Sequence, residues 1–147
     1  MKILLAIDDS KYADAAIRQI IAQAGSQGAE VRVLHVIEPV PLFPDGQSWG
    51  YDVEFGAVRK EQEKQAEEMV SRAAKTLREA GCNVTTAVEF GYPKLVILDQ
   101  ATEWHADLIV VGSHGRKGLD HFLMGSVSEA VARHAPCSVE IVREPKH

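Results

Sequence analysis

Between Gly112 and Ser126 the chain reads Gly-Ser-His-Gly-Arg-Lys-Gly-Leu-Asp-His-Phe-Leu-Met-Gly-Ser. Glycines let a main chain approach an anion closely and turn its N–H groups inward, so Gly112 and Gly115 can form one wall of a phosphate nest. At the far end Gly125 and Ser126 precede a segment with helical periodicity. Its first N–H groups lack intrahelical partners, and with the helix dipole they favour negative charge. Arg116 and Lys117 add positive charge to the same loop. Arg116 is equally consistent with a phosphate contact and with a solvated loop arginine.

The loop is not a Walker A sequence, since it lacks the Gly-Lys-Ser/Thr ending, and no GxGxxG follows the first strand. Ser126 and Glu129 have Ser-x-x-Glu spacing, so the serine can cap its helix, lend its backbone N–H to a phosphate, or do both. Asp8 and Asp9 end the first apolar run. Asp9 reads as a helix-capping acid, whereas Asp8 falls where a ligand crevice is expected. His114 and His121 are the obvious candidates for acid–base work near the loop, and no spacing couples either to a carboxylate. That argues against efficient phosphoryl or adenylyl transfer, which needs a positioned base and added charge stabilisation. Cys82 and Cys137 form no CxxC pair and read as reduced thiols, Cys137 as the buried one. His134 and Cys137 alone do not make a metal site.

The elements that must position this loop alternate strand and helix. Lys2–Ile7 reads as a buried strand, followed by a helix capped by Ser10 with the stripe Ala13, Ala16, Ile17, Ile20, Ile21 and Ala24 and closed by Gly25 and Gly28. Val31–Ile37 is a second strand, stopped by Pro39, Pro41 and Pro44. Residues 38–56 mix Pro and Gly with Phe43, Trp49, Tyr51 and Phe55. They read as a surface excursion that covers the next helix or lids a ligand. Residues 58–80 keep helical spacing through Val58, Ala66, Met69, Val70, Ala73, Ala74, Leu77 and Ala80. Asn83–Glu89 is a half-polar strand. Pro93 opens a helix bearing Leu95, Val96, Leu98 and Ala101. Asp107–Gly112 is a strongly apolar strand, Ser126–His134 a short helix, and Ser138–Val142 the last strand.

Five strands separated by helices predict a single-domain α/β fold over residues 1–147, an open parallel sheet with helices on both faces. The first and fourth strands are the most apolar and the third and fifth alternate like edges, which predicts the order 3-2-1-4-5. A crevice should then open between strands one and four at their carboxyl ends, next to Asp8 and Gly112.

With 147 residues, 46% hydrophobic and 25% charged, the chain has globular composition. Its formal net charge of −5 disfavours a broad nucleic-acid surface. The short apolar run after Lys2, broken by Asp8 and Asp9, fits neither a signal peptide nor a membrane helix, so a cytoplasmic location is expected.

Gly112-x-x-Gly115, then residues 116–124, then Gly125-Ser126 resembles the ATP-binding signature of the universal stress protein family. Ile3-Leu4-Leu5-Ala6-Ile7-Asp8 is similar to that family's first strand, Leu34-His35-Val36-Ile37 to its second, and His134-Ala135-Pro136-Cys137-Ser138-Val139 to its last turn. Where many members have Cys-Pro-Val, this chain has Cys137-Ser138-Val139. The resemblance implies an adenine nucleotide alpha hydrolase-like sheet and bound ATP, with Mg2+. It implies Asp8 and the Val36 backbone at the adenine and ribose end, Gly112 against ribose, and Gly115, Gly125, Ser126, Val127 and Ser128 along the phosphates. It further implies a regulatory stress-response module forming a homodimer through the last strand. A nucleotide-cleaving enzyme and a nucleotide-free interaction protein are the alternatives.

Overall fold

A computed structural model describes residues 1–8, 11–39, 52–113 and 125–143. Five strands, β1 (Lys2–Ala6), β2 (Glu30–Ile37), β3 (Asn83–Phe90), β4 (Leu108–Gly112) and β5 (Ser138–Val142), form one sheet in the order β3-β2-β1-β4-β5. Every neighbouring pair is parallel. The connections contain α1 (Lys11–Ala24) with a 3-10 turn at Gly25–Gln27, α2 (Asp52–Glu79), α3 (Pro93–Trp104) and α4 (Ser126–His134). Parallel neighbours require crossovers, and the helices supply them.

Alternation along the strands divides the core into two layers. Ile3, Leu5, Val31, Val33 and Val110 face α1 and α2, where Ala16, Ile17, Ile20, Val70, Ala73 and Leu77 complete the packing. Leu4, Leu34, Val36, Ile109 and Val111 face the other way, toward Ile97 and Ala101 of α3 and Val131 of α4. Strands β1 and β4 have three successive fully buried residues each, the mark of strands covered on both faces. The edge strands β3 and β5 are far more exposed.

Several local expectations are corrected. Helix α2 starts at Asp52, inside the stretch read as an excursion, and Val58 is 50% exposed rather than part of the apolar stripe. In α3 the buried side chains are Ile97 and Ala101; Ala101 belongs to the expected stripe, whereas Leu95 is 54% exposed and Ile97 faces the sheet in its place. Cys82, not Cys137, is the buried cysteine, because it enters the core just before β3 and Cys137 lies at the start of an edge strand. Both are free thiols. Pro93 does open α3, and Gly28 takes the left-handed conformation that ends the turn after α1. The Ser10 cap, Asp9 and residues 40–51 lie outside the described residues.

Candidate functional site

The sheet brings three strand ends together. In register, Ala6 of β1 lies opposite Leu34 of β2, and Leu5 lies opposite Val110 of β4. Carried two residues onward, these registers bring Asp8 level with Val36 on one side and Ile7 level with Gly112 on the other. The sheet order switches direction here, since β1 leads outward to β2 on one flank and β4 begins the other. Asp8 is half-buried at this switch point, and Val36, level with it on β2, is buried.

The two ends of the glycine-bearing loop are fastened to each other. Beyond β4 the Ser113 N–H donates to the Val142 carbonyl at 2.8 Å, which extends the β4–β5 pairing by one residue. The Ser113 carbonyl accepts the Gly125 N–H at 2.7 Å and the Ser128 hydroxyl at 2.9 Å. The same hydroxyl lies 2.9 Å from the Gly125 carbonyl. Ser113 and Ser128 are 1% and 2% exposed, so this polar clasp is sealed within the protein. Buried polar groups are stable only when paired, and here each pairs with the other end of the loop.

The clasp fixes where α4 begins. Gly125 is its N-cap, and the first helical bond runs from the Glu129 N–H to the Gly125 carbonyl at 3.0 Å. The N–H groups of Ser126, Val127 and Ser128 therefore have no intrahelical acceptor. They lie at the positive end of the helix dipole, next to the carboxyl end of β4. The capping-box alternative for Ser126 is not formed. Ser126 is the first helical residue, no side chain caps the helix, and the Glu129 carboxylate pairs instead with Arg133 at 3.0 Å. Ser128 contributes its hydroxyl to the clasp, which leaves its backbone N–H as the group that can meet an anion.

Of the residues singled out in the sequence, Asp8, Val36, Gly112, Gly125, Ser126, Val127 and Ser128 converge on this end of the sheet. Gly115, Arg116, Lys117, His114 and His121 lie outside the described residues. Two contributors escaped sequence reasoning. In the sequence Ser113 is one polar residue among several in its loop, and His35 falls within a strand motif. The available signal for His35 was a polar ring within an otherwise apolar run. Its Nδ1 lies 2.8 Å from the Ile7 carbonyl. Among the described residues, no group of three or more His, Cys, Asp or Glu side chains could hold a metal ion, and no helix is long and apolar enough to cross a membrane.

The sequence pattern of the universal stress protein family matches residues 1–143. A Staphylococcus epidermidis protein named as a universal stress protein is 34% identical over 144 residues, covering 96% of this chain and 82% of that protein. The universal stress protein UspA of Lactobacillus plantarum superposes with a TM-score of 0.83 at 25% identity, covering 97% of both chains. A universal stress protein of Archaeoglobus fulgidus, solved in complex with dAMP, superposes with a TM-score of 0.67 at 25% identity, again over 97% of both chains.

Proposed function

The chain belongs to the universal stress protein family, and from that premise we propose that it is a regulatory module that binds ATP in the crevice between β1 and β4. The observation that carries this reading is the clasp at Ser113. It holds the free N–H groups of Ser126, Val127 and Ser128 beside the end of β4, at the switch point of the sheet. An anion there meets unpaired donors and a helix dipole at once. The dAMP complex of the Archaeoglobus relative supports an adenine nucleotide as the ligand class.

In this reading Gly125 and the first turn of α4 receive the phosphates, with Gly115 and Arg116 completing the cradle. Gly112 lies against the ribose, and Asp8 and the Val36 backbone meet ribose and base. The Asp8 carboxylate is a good acceptor for ribose hydroxyls. Mg2+ would arrive on the phosphates, since it retains much of its water and is commonly held by substrate oxygens plus few protein ligands. The cytoplasm is the compartment that supplies such a ligand, and the edge of β5 is the surface for homodimer formation.

Calorimetric titration with ATP and Mg2+ tests the proposal. About one site per chain is expected, with AMP weaker because it lacks the outer phosphates that α4 would contact. Equal affinity for AMP and ATP would refute the phosphate placement. Prolonged incubation should leave nearly all the ATP intact. Turnover on the order of 1 per second or faster would favour the enzyme reading instead.

A further inference from the structure

The pairing between β1 and β2 changes character at its carboxyl end. Residues of a strand turn their backbone groups alternately to its two neighbours. Leu34 turns toward β1, where its carbonyl accepts the Ile7 N–H at 2.9 Å. Ile37 turns toward β3, where its carbonyl accepts the Gly91 N–H at 3.0 Å. By this alternation Val36 faces β1, and a continued parallel ladder would send its N–H to the Ile7 carbonyl. That carbonyl is instead met by His35 Nδ1 at 2.8 Å, and among the described residues no hydrogen bond joins it to Val36. A carbonyl can only accept, so Nδ1 carries the hydrogen and donates it.

The consequence concerns Val36, which is buried near the carboxyl end of β2. Its N–H and C=O point to the same side, a donor and an acceptor in fixed spacing. Adenine offers the complement on one edge, a ring nitrogen that accepts beside an amino group that donates. Guanine offers the reverse pattern there, so the same pair of backbone groups would discriminate against it.

We infer that His35 is a positioning residue for base recognition: by occupying the Ile7 carbonyl it keeps the Val36 N–H off the ladder and available, beside the Val36 C=O, to an adenine ring. This rests on the nucleotide reading above, and it assigns His35 no contact with the ligand. Removing the imidazole donor frees the Ile7 carbonyl to take the Val36 N–H, which closes the ladder over the base subsite. The phosphate end, built on β4 and α4, is untouched by that change.

The test is calorimetry on the full chain with ATP, GTP and inorganic tripolyphosphate, comparing wild type with His35→Phe, His35→Leu and His35→Asn. Loss of one base hydrogen bond corresponds to about a tenfold loss of ATP affinity in the Phe and Leu variants. Their tripolyphosphate affinity should stay within about twofold of wild type, and their preference for ATP over GTP should shrink. His35→Asn, whose amide nitrogen lies as many bonds from the backbone as Nδ1, should restore most of both. The inference is overturned if the Phe and Leu variants bind ATP like wild type with unchanged preference over GTP. It is overturned equally if they lose ATP and tripolyphosphate in parallel, or if His35→Asn is as impaired as His35→Phe. A wild-type protein that binds tripolyphosphate but does not distinguish ATP from GTP would leave the phosphate site standing and remove this role of His35. A wild type that binds none of the three would remove the nucleotide reading and this inference together.

Discussion

Ser128, in the first turn of α4, donates its hydroxyl to the carbonyl of Ser113, which follows the last residue of β4. Through that bond the start of a helix and the end of a strand are held to one another. The Gly125 N–H reinforces the attachment from the cap of the same helix.

Replacing Ser128 with Ala should therefore loosen the base of the loop without dismantling the core. The Ser113 carbonyl would keep the Gly125 N–H, so the expected loss of stability is about 1 kcal/mol, the net worth of one intramolecular hydrogen bond. Urea unfolding of wild type and variant would measure it. ATP affinity should fall as well, since the α4 donors lose their fixed relation to β4. Unchanged stability would show that the hydroxyl pairing contributes nothing net.

Gly125 has φ of −64° and ψ of 158°, a conformation open to any residue. Gly125→Val should therefore fold, while its branched side chain obstructs the approach of a phosphate to the first turn of α4. ATP binding is expected to be abolished with the unfolding midpoint near that of wild type. Gly115→Val makes the same prediction for the other wall of the cradle. Normal ATP binding by either variant would place the phosphates elsewhere.

Among the described residues β5 has a strand partner on one side only. Because the Val142 carbonyl turns toward β4, where it accepts the Ser113 N–H, Ile141 turns its backbone groups outward. Proline at an outward edge position is compatible with the strand but cannot donate to a second chain. If two copies pair through β5 about a two-fold axis, Ile141→Pro should yield monomers by light scattering and retain most ATP binding. A wild-type monomer at micromolar concentration, or a dimer indifferent to the substitution, would exclude this interface.

Burial pushes the Cys82 thiol above its ordinary value of 9.0, and burial with the nearby Asp107 charge does the same for Cys137. A raised folded-state pKa means the folded chain holds these protons more tightly than the unfolded chain. The associated stability is complete below the unfolded value and declines as pH rises from there through the folded values. Unfolding measurements from pH 8 to 11 should show this alkaline decline to be smaller in a Cys82→Ala variant than in wild type. Both thiols should also react with a disulfide reagent more slowly in native than in unfolded protein.

The order of the sheet and its parallel sense were legible in the sequence, because they follow from local pattern. Continuous apolar runs at Ile3–Ile7 and Leu108–Val111 marked central strands, and half-polar runs at β3 and β5 marked edges. Glycine and proline supplied the punctuation. What depended on contacts between distant segments was decided only by the folded chain. Periodicity placed Leu95 and Val58 on apolar stripes, but the angle at which each helix meets the sheet buried Ile97 and left those two exposed. Cys82 and Cys137 exchanged their expected burial because an edge strand covers its residues less than the core entry before β3. The Ser-x-x-Glu spacing at Ser126 offered a cap that the helix does not use, since the Ser113 carbonyl held Gly125 in the cap position. The roles of Ser113 and His35 arise from hydrogen bonds to residues 15 and 28 positions away, and no local pattern of residue types encodes a partner at that distance.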